Sequence, residues 1–396
     1  MDIILKRIVS MLLVLCCGIS LLAQQVGHLS MTFTDASRSN RQIPAEVYYP
    51  ATATGNNTPL APGTFPLVVF GHGFVMTWSA YQNIWDALVP EGYIVVFPTT
   101  ETGLSPSHAE FGADLKFLIG EIQQNGAGAI IPATKVAATS AIMGHSMGGG
   151  CSFLAGENNS GITTMVTFAA ANTNPSSITA AQQVSAPTLI FSGSNDCVAP
   201  PAQHQDIMYD STVMALKTQI YIPGGGHCYF ANSNFNCSFG ESTCSPAPTI
   251  TRTNQQSIAN DFLKIWLAYF LKGDCTKAQE FQDSLVHSSR INFRQNQPIS
   301  CITGIPNSQQ EESSLFVYPN PSSDKVTVYD ASTGNQKQLT IQNVFGEIIW
   351  TQKVSGNSQV QIDLTGFLKG IYFLRIERDG QIRSIKIMRS YDDFLK

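Results

Sequence analysis

Residues 141–156 read AIMGHSMGGGCSFLAG: an apolar run breaks into glycines and then resumes with small and apolar residues. That pattern describes a buried strand, a tight turn and the start of a helix. Ser146 stands at the turn, inside Gly144-His145-Ser146-Met147-Gly148, the one GxSxG in the chain. With 31 glycines in 396 residues the five-residue pattern alone says little. Its flanks give it meaning, because a serine on such a turn presents its hydroxyl at a sheet edge, over a helix N-terminus that favours negative charge. The glycines follow from the same geometry, since the turn is strained and neighbouring backbone passes close.

The same alternation extends in both directions. Residues 66–70 (PLVVF) and 93–97 (YIVVF) are unbroken apolar runs, as expected of strands buried on both faces of a sheet. Between them, 78–89 has helical spacing, with Trp78, Tyr81, Ile84, Trp85 and Leu88 on one side. A hairpin is expected at 27–34 and 42–49, a helix at 108–122, and strands at 137–143, 164–168, 187–191 and 218–222. A long helix over 255–271 closes the pattern. Repeated strand–helix alternation implies an α/β fold, a mostly parallel sheet with helices on both faces.

A serine hydroxyl becomes a nucleophile only when a base takes its proton, and the base needs an acid to hold its tautomer. On this frame the order is serine, acid, histidine, each just after a strand. Strand 187–191 runs into Ser192-Gly193-Ser194-Asn195-Asp196, which makes Asp196 the acid. Strand 218–222 runs into Pro223-Gly224-Gly225-Gly226-His227, which makes His227 the base. If His227 were an ordinary loop histidine, Ser146 would have no other well-placed base. Asp206 and Asp210 lie in helix-like context and are expected to be solvated; His204 and His287 are expected on the surface. The oxyanion donors are expected to be the backbone N–H groups of Met147 and of Phe74, in the Gly71-His72-Gly73-Phe74 loop after strand 66–70. His72 is read as a brace for that loop, and His145 as structural. Such chemistry requires no metal and no organic cofactor.

The two ends read as addresses. Residues 1–23 carry Lys6 and Arg7 before an apolar stretch that closes at Ala23, the pattern of a secretory signal. A membrane anchor is the competing reading, but a span takes about 20 apolar residues. No other segment is long and apolar enough, and Leu15-Cys16-Cys17 fits a lipidation site poorly. Residues 303–313 (TGIPNSQQEES) are polar and read as a linker. Beyond them, over 314–396, seven short alternating runs separated by Gly, Asn and Asp turns predict a small C-terminal β-sandwich. The expected parts are therefore a signal at 1–23, a catalytic region at 24–302, the linker, and a sandwich at 314–396.

Loss of residues 1–23 would leave seven cysteines. An exported chain meets oxidising conditions, so most should pair. Cys197–Cys228, Cys237–Cys244 and Cys275–Cys301 are the expected bridges, with Cys151 free in an apolar helix. No spacing suits a zinc site.

Only 13% of residues are Asp, Glu, Lys or Arg, against about 25% on average, yet 43% are hydrophobic. That excludes a disordered tail protein, and the absence of a basic run argues against a nucleic-acid binder. The net charge of -5 is uneven: residues 24–313 hold 11 basic and 19 acidic side chains, whereas 314–396 hold 10 and 8. A charge-poor catalytic region would ease approach to an apolar substrate.

Two resemblances add to these readings. Gly71-His72-Gly73-Phe74, Gly144-His145-Ser146-Met147-Gly148-Gly149-Gly150, Pro187-Thr188-Leu189-Ile190-Phe191 leading to Asp196, and Gly225-Gly226-His227 together resemble the α/β-hydrolase branch of bacterial cutinases, poly(ethylene terephthalate) hydrolases and chlorophyllase-like esterases. The resemblance implies ester hydrolysis through Ser146, His227 and Asp196, with Phe74 and Met147 at the oxyanion hole and the Phe74 ring touching substrate. It departs in two places. Polyester hydrolases carry a Trp where this chain has Ala171-Asn172-Thr173-Asn174-Pro175, and the histidine loop holds extra sequence at 228–244, whose Tyr229, Phe230 and Phe235 either supply an apolar wall or pack beneath the loop. At the other end, Val317-Tyr318-Pro319-Asn320-Pro321, Gly370-Ile371-Tyr372-Phe373 and Lys386-Ile387-Met388 resemble the type A C-terminal sorting domain of exported Bacteroidota proteins, although the chain runs on through 390–396. That resemblance implies export by the type IX secretion machinery to the medium or the cell surface. An accessory binding sandwich is the other reading of this end. The implied partner is an ester or polyester substrate, and a monomer is expected. A serine peptidase of related fold and a non-catalytic surface-binding protein are the alternatives; the companion β-propeller usual in such peptidases is not seen in this sequence, which argues against the first.

Overall fold

The computed structural model describes residues 24–213, 215–301, 315–320, 322–330, 337–355, 359–378 and 381–390. The expected signal, the linker and the run past Ser390 lie outside the described residues. The chain divides into two compact units, one up to Ile302 and one from Thr303.

The first unit is built on a ten-stranded sheet. A hairpin of β1 (Gln25–Asp35) and β2 (Arg41–Ala51) pairs over its whole length, with β3 (Gly55–Asn56) at the edge. Inside run β4 (Phe65–Gly71), β5 (Ile94–Pro98), β6 (Val136–His145), β7 (Thr164–Phe168), β8 (Thr188–Gly193) and β9 (Lys217–Ile222), followed by an antiparallel edge strand, β10 (Asn292–Gln295). The spatial order is β10-β9-β8-β7-β6-β4-β5-β2-β1-β3, and β4 through β9 are mutually parallel.

Side chains alternate across the sheet with the two-residue period of a strand. Leu67 and Val69 of β4 face one core, and Val68 and Phe70 face the other. The first core is covered by α2 (His108–Asn125), α3 (Met147–Gly156), α4 (Ser177–Ala181) and α5 (Gln205–Ser211). The second lies beneath α1 (Gln82–Leu88), α7 (Arg252–Lys272) and α8 (Thr276–His287). α6 (Phe235–Glu241) belongs to a connection rather than to either layer. Thr251 caps α7 by accepting from Asn254 N–H, and Trp266 of α7 is fully buried, its Nε1–H donating to Thr164 Oγ1 at 2.8 Å. The elements not anticipated are α4, α6, β3 and β10. Each is short or follows a polar stretch whose apolar positions are too few to declare a period.

Among the described residues the second unit holds seven strands: β11 (Leu315–Tyr318), β12 (Lys325–Asp330), β13 (Lys337–Gln342), β14 (Ile348–Val354), β15 (Val360–Asp363), β16 (Gly370–Arg378) and β17 (Gln381–Arg389). They form two antiparallel sheets, β11-β12-β15 and β14-β13-β16-β17. Val326, Val328 and Ile362 of the first pack with Leu339, Ile341, Leu374 and Ile376 of the second. The fold class read from the sequence, a mostly parallel α/β sheet followed by a small β-rich unit, is the one found.

Candidate active site

β6 carries the chain through Gly144 and His145 directly into Ser146, which lies at φ 55°, ψ −120° before α3 begins at Met147. A non-glycine residue there is strained, by about 1–3 kcal/mol for such conformations. The surrounding backbone holds it: Ser146 N–H donates to Phe168 O (3.0 Å), and Ser146 O accepts from Ala171 N–H (2.9 Å) and Gly150 N–H (3.0 Å). The turn closes only because Gly148 has no side chain, since a Cβ there would lie 2.1 Å from Gly71 O.

The loops after β8 and β9 meet over this turn. His227 Nε2 is 2.8 Å from Ser146 Oγ, and His227 Nδ1 is 2.8 Å from Asp196 Oδ2. Asp196 Oδ1 accepts from Val198 N–H (2.9 Å) and Ala199 N–H (2.8 Å), which fixes the carboxylate. All three side chains are buried. The acids set aside in the sequence are occupied elsewhere: Asp206 binds Gln219, Tyr221 and Arg294, and Asp210 binds Arg294.

His227 is held by its neighbours at long range. The Gln255 amide accepts from Gly226 N–H (2.9 Å) and donates to Gly226 O (2.8 Å). Glu241 accepts from Cys228 N–H (3.1 Å), and Arg252 donates to the carbonyls of Cys228 and Ala231. Two disulfides complete the clamp, and here the expected pairing is corrected. Cys228 pairs with Cys237 and Cys197 with Cys244; Cys197–Cys228 and Cys237–Cys244 do not form. The reason is the reversal of the inserted segment at α6. It returns Cys237 to the residue after His227, and its far end then reaches the residue after Asp196. Cys275 pairs with Cys301 as expected, and Cys151 is free and buried, its thiol pKa pushed up by burial.

An open cleft of about 330 Å³ runs from Ser146 and His227 to Phe74, Val198, Phe235 and Phe239. Phe74 is 47% exposed, Phe235 82% and Phe239 72%; the last two rings stack with centroids 6.3 Å apart. The aromatics of the insertion therefore divide. Phe235 faces the cleft. Phe230 is buried against Phe168, and Tyr229 lies under the Arg252 guanidinium. Phe239 was not anticipated; one helical turn after Phe235, it would have followed from reading 235–241 as a helix.

The 171–175 loop, which lacks an aromatic residue, is held by two histidines. His204 Nδ1 accepts from Asn172 N–H (2.9 Å) and His108 Nδ1 from Asn174 N–H (3.1 Å). His204 is half-buried rather than on the surface, and burial is the main influence lowering its pKa. The sequence reading missed it because its partner lies 32 residues away. His287 is exposed at the end of α8. His72 is buried and joins Gly73 O (2.9 Å) to Thr100 O (2.8 Å), across the loop it was expected to brace.

This sheet, with a serine on a strand-to-helix turn and an acid and a histidine on later loops, defines an α/β hydrolase. The profile of the PET hydrolase-like family matches residues 18–245, more than half of the chain, and the chain belongs to that family. Residues 316–389 match the secretion system C-terminal sorting domain, so the protein is exported by type IX secretion to the medium or the cell surface. Among curated relatives, chlorophyllase-1 of Citrus sinensis is 30% identical over 128 residues, 31% of this chain and 39% of that protein. A bis(hydroxyethyl) terephthalate hydrolase of Streptomyces coelicolor is 26% identical over 198 residues, 49% of this chain and 58% of that protein. The chain thus spans about half the length, or less, of these relatives.

Proposed function

We propose that the protein is a secreted serine carboxylic-ester hydrolase acting on uncharged, apolar esters, aromatic polyesters among them. The observation that carries this reading is the unbroken chain Ser146 Oγ, His227, Asp196, with both contacts at 2.8 Å. Asp196 accepts from His227 Nδ1–H, which leaves Nε2 free to take the Ser146 proton. Ser146 Oγ attacks the ester carbonyl, and the N–H groups of Met147 and Phe74 receive the oxyanion. The alcohol leaves with the proton from His227. Water, activated by the same His227, then releases the acid and restores Ser146.

Family membership and the two esterase relatives support ester chemistry; the lining supports the substrate class. Among the described residues, no Lys, Arg, Asp or Glu side chain lines the cleft beside Ser146, while three exposed Phe rings do. On this reading residues 1–23 are the export signal, 24–302 the catalytic domain, 303–313 the linker and 314–396 the sorting domain.

A fluorophosphonate probe is expected to label Ser146, and the Ser146→Ala protein is expected to resist it. Labelling that persists in that variant overturns the assignment. Turnover of nitrophenyl esters without cleavage of peptide amides separates an esterase from a peptidase. Deletion of 314–396 is expected to retain the enzyme within the cell envelope; unchanged export refutes the sorting role.

A further inference from the structure

Behind the serine lies a buried chain of hydrogen bonds that the ester mechanism does not use. Gly73 N–H donates to Tyr81 Oη at 2.8 Å. Tyr81 Oη is 3.0 Å from His145 Nδ1, and His145 Nε2 is 3.0 Å from the carbonyl oxygen of His227. Tyr81 and His145 are both fully buried.

The direction of every proton in the chain follows from valence. The His227 carbonyl oxygen can only accept, so His145 Nε2 carries a hydrogen. Burial, reinforced by nearby His227 and Arg252, holds His145 well below the usual imidazole range, and a neutral ring has one N–H. His145 Nδ1 is therefore an acceptor, and the Tyr81 hydroxyl must donate to it. The lone pair left on Tyr81 Oη receives Gly73 N–H. Tyr81 Oη also lies 3.3 Å from Met76 Sδ, but a thioether is a weak acceptor beside an imidazole nitrogen, so the polarity runs one way from Gly73 to His227.

The four groups come from four places: the loop after β4, the turn of residues 78–81 before α1, the last residue of β6, and the loop after β9. Gly73 precedes Phe74, and His145 precedes Ser146. Space is as restricted as polarity. A Cβ on Gly73 would lie 2.8 Å from Met76 Sδ, 3.2 Å from Tyr81 Oη and 3.3 Å from His145 Nδ1.

We propose that Tyr81 and His145 are positioning residues that couple the oxyanion loop to the base loop, so that the Phe74 N–H, Ser146 Oγ and His227 Nε2 keep one mutual geometry. This inference rests on the ester-hydrolase reading of the same site. Neither residue touches substrate. A loosened relay leaves the cleft intact but spreads the reacting groups, and misplacement of that kind costs rate rather than binding.

The test compares Tyr81→Phe, His145→Leu and the double variant of the full chain on a nitrophenyl ester, with fluorophosphonate labelling and melting temperature recorded for each. Each single change is expected to lower kcat about 10- to 100-fold, with KM within about twofold of the parent. Because both changes cut one chain, the double variant is expected to lose no more than the worse single one. His145→Gln places an amide N–H where imidazole Nε2–H stood, and is expected to recover most of the kcat that His145→Leu loses at similar volume. Losses that add, a Gln variant no better than the Leu variant, or a kcat that follows melting temperature alone overturns the relay. A parent enzyme that neither labels nor turns over ester sinks the hydrolase reading instead. A labelled, active parent with indifferent variants sinks only the relay.

Discussion

Ser146 and His227, the proposed nucleophile and base, are held in opposite ways. Ser146 is positioned by backbone: β6 delivers it, α3 carries the chain away, and three main-chain hydrogen bonds and Gly148 leave it no freedom. His227 is positioned by side chains recruited from far along the chain, Gln255, Glu241 and Arg252, with two disulfides across the insertion. A backbone-held group depends on what cannot be added to it; a side-chain-held group depends on what cannot be removed.

The comparison ranks its own tests. Gly148→Ala drives a methyl into Gly71 O and is expected to cost about 5 kcal/mol or more, at the extreme of single substitutions; chemical denaturation measures it, and a stable, active Ala variant would break the backbone half of the contrast. On the other side, replacing Cys197 and Cys244 by Ser opens a 47-residue loop, and loop-closure entropy sets the loss at about 4 kcal/mol. The same exchange at Cys228 and Cys237, nine residues apart, is expected to cost about 2.5 kcal/mol, and a reversed order of melting temperatures would contradict it. Gln255→Ala strands the N–H and C=O of Gly226, for about 2 kcal/mol, with kcat falling alongside stability. The smallest effect belongs to the cleft. Phe235→Ala with Phe239→Ala should leave stability within about 0.5 kcal/mol, yet lower kcat/KM for bulky aromatic esters about tenfold, as loss of one buried ring face predicts. A short acetyl ester should be nearly indifferent; equal losses on both substrates would remove the insertion from substrate recognition.

The same contrast explains what could be read in advance. Strands β4 to β9 and the serine turn depend on residues adjacent in sequence, so apolar runs and glycines declared them. Asp196 and His227 were legible because each follows a strand. The clamp was not, because its partners meet only after the insertion folds back: Cys228 reaches Cys237 instead of Cys197, and Phe239 joins Phe235 on a helix too short to show a period. Tyr81 illustrates the limit well. Helical spacing placed it among apolar core residues, and it is buried, but its hydroxyl joins Gly73 to His145, whose other ring nitrogen reaches the His227 carbonyl, 154 positions from Gly73.

The bridges at Cys197–Cys244 and Cys228–Cys237 also set a clock. Cytosolic reductants keep thiols open, whereas an exported chain meets oxidants. A newly made copy can form its serine turn from backbone alone, but its base loop is fastened only after it has left the compartment of synthesis. On the proposed ester-hydrolase reading, the base loop would be fully fastened only at the destination of the chain.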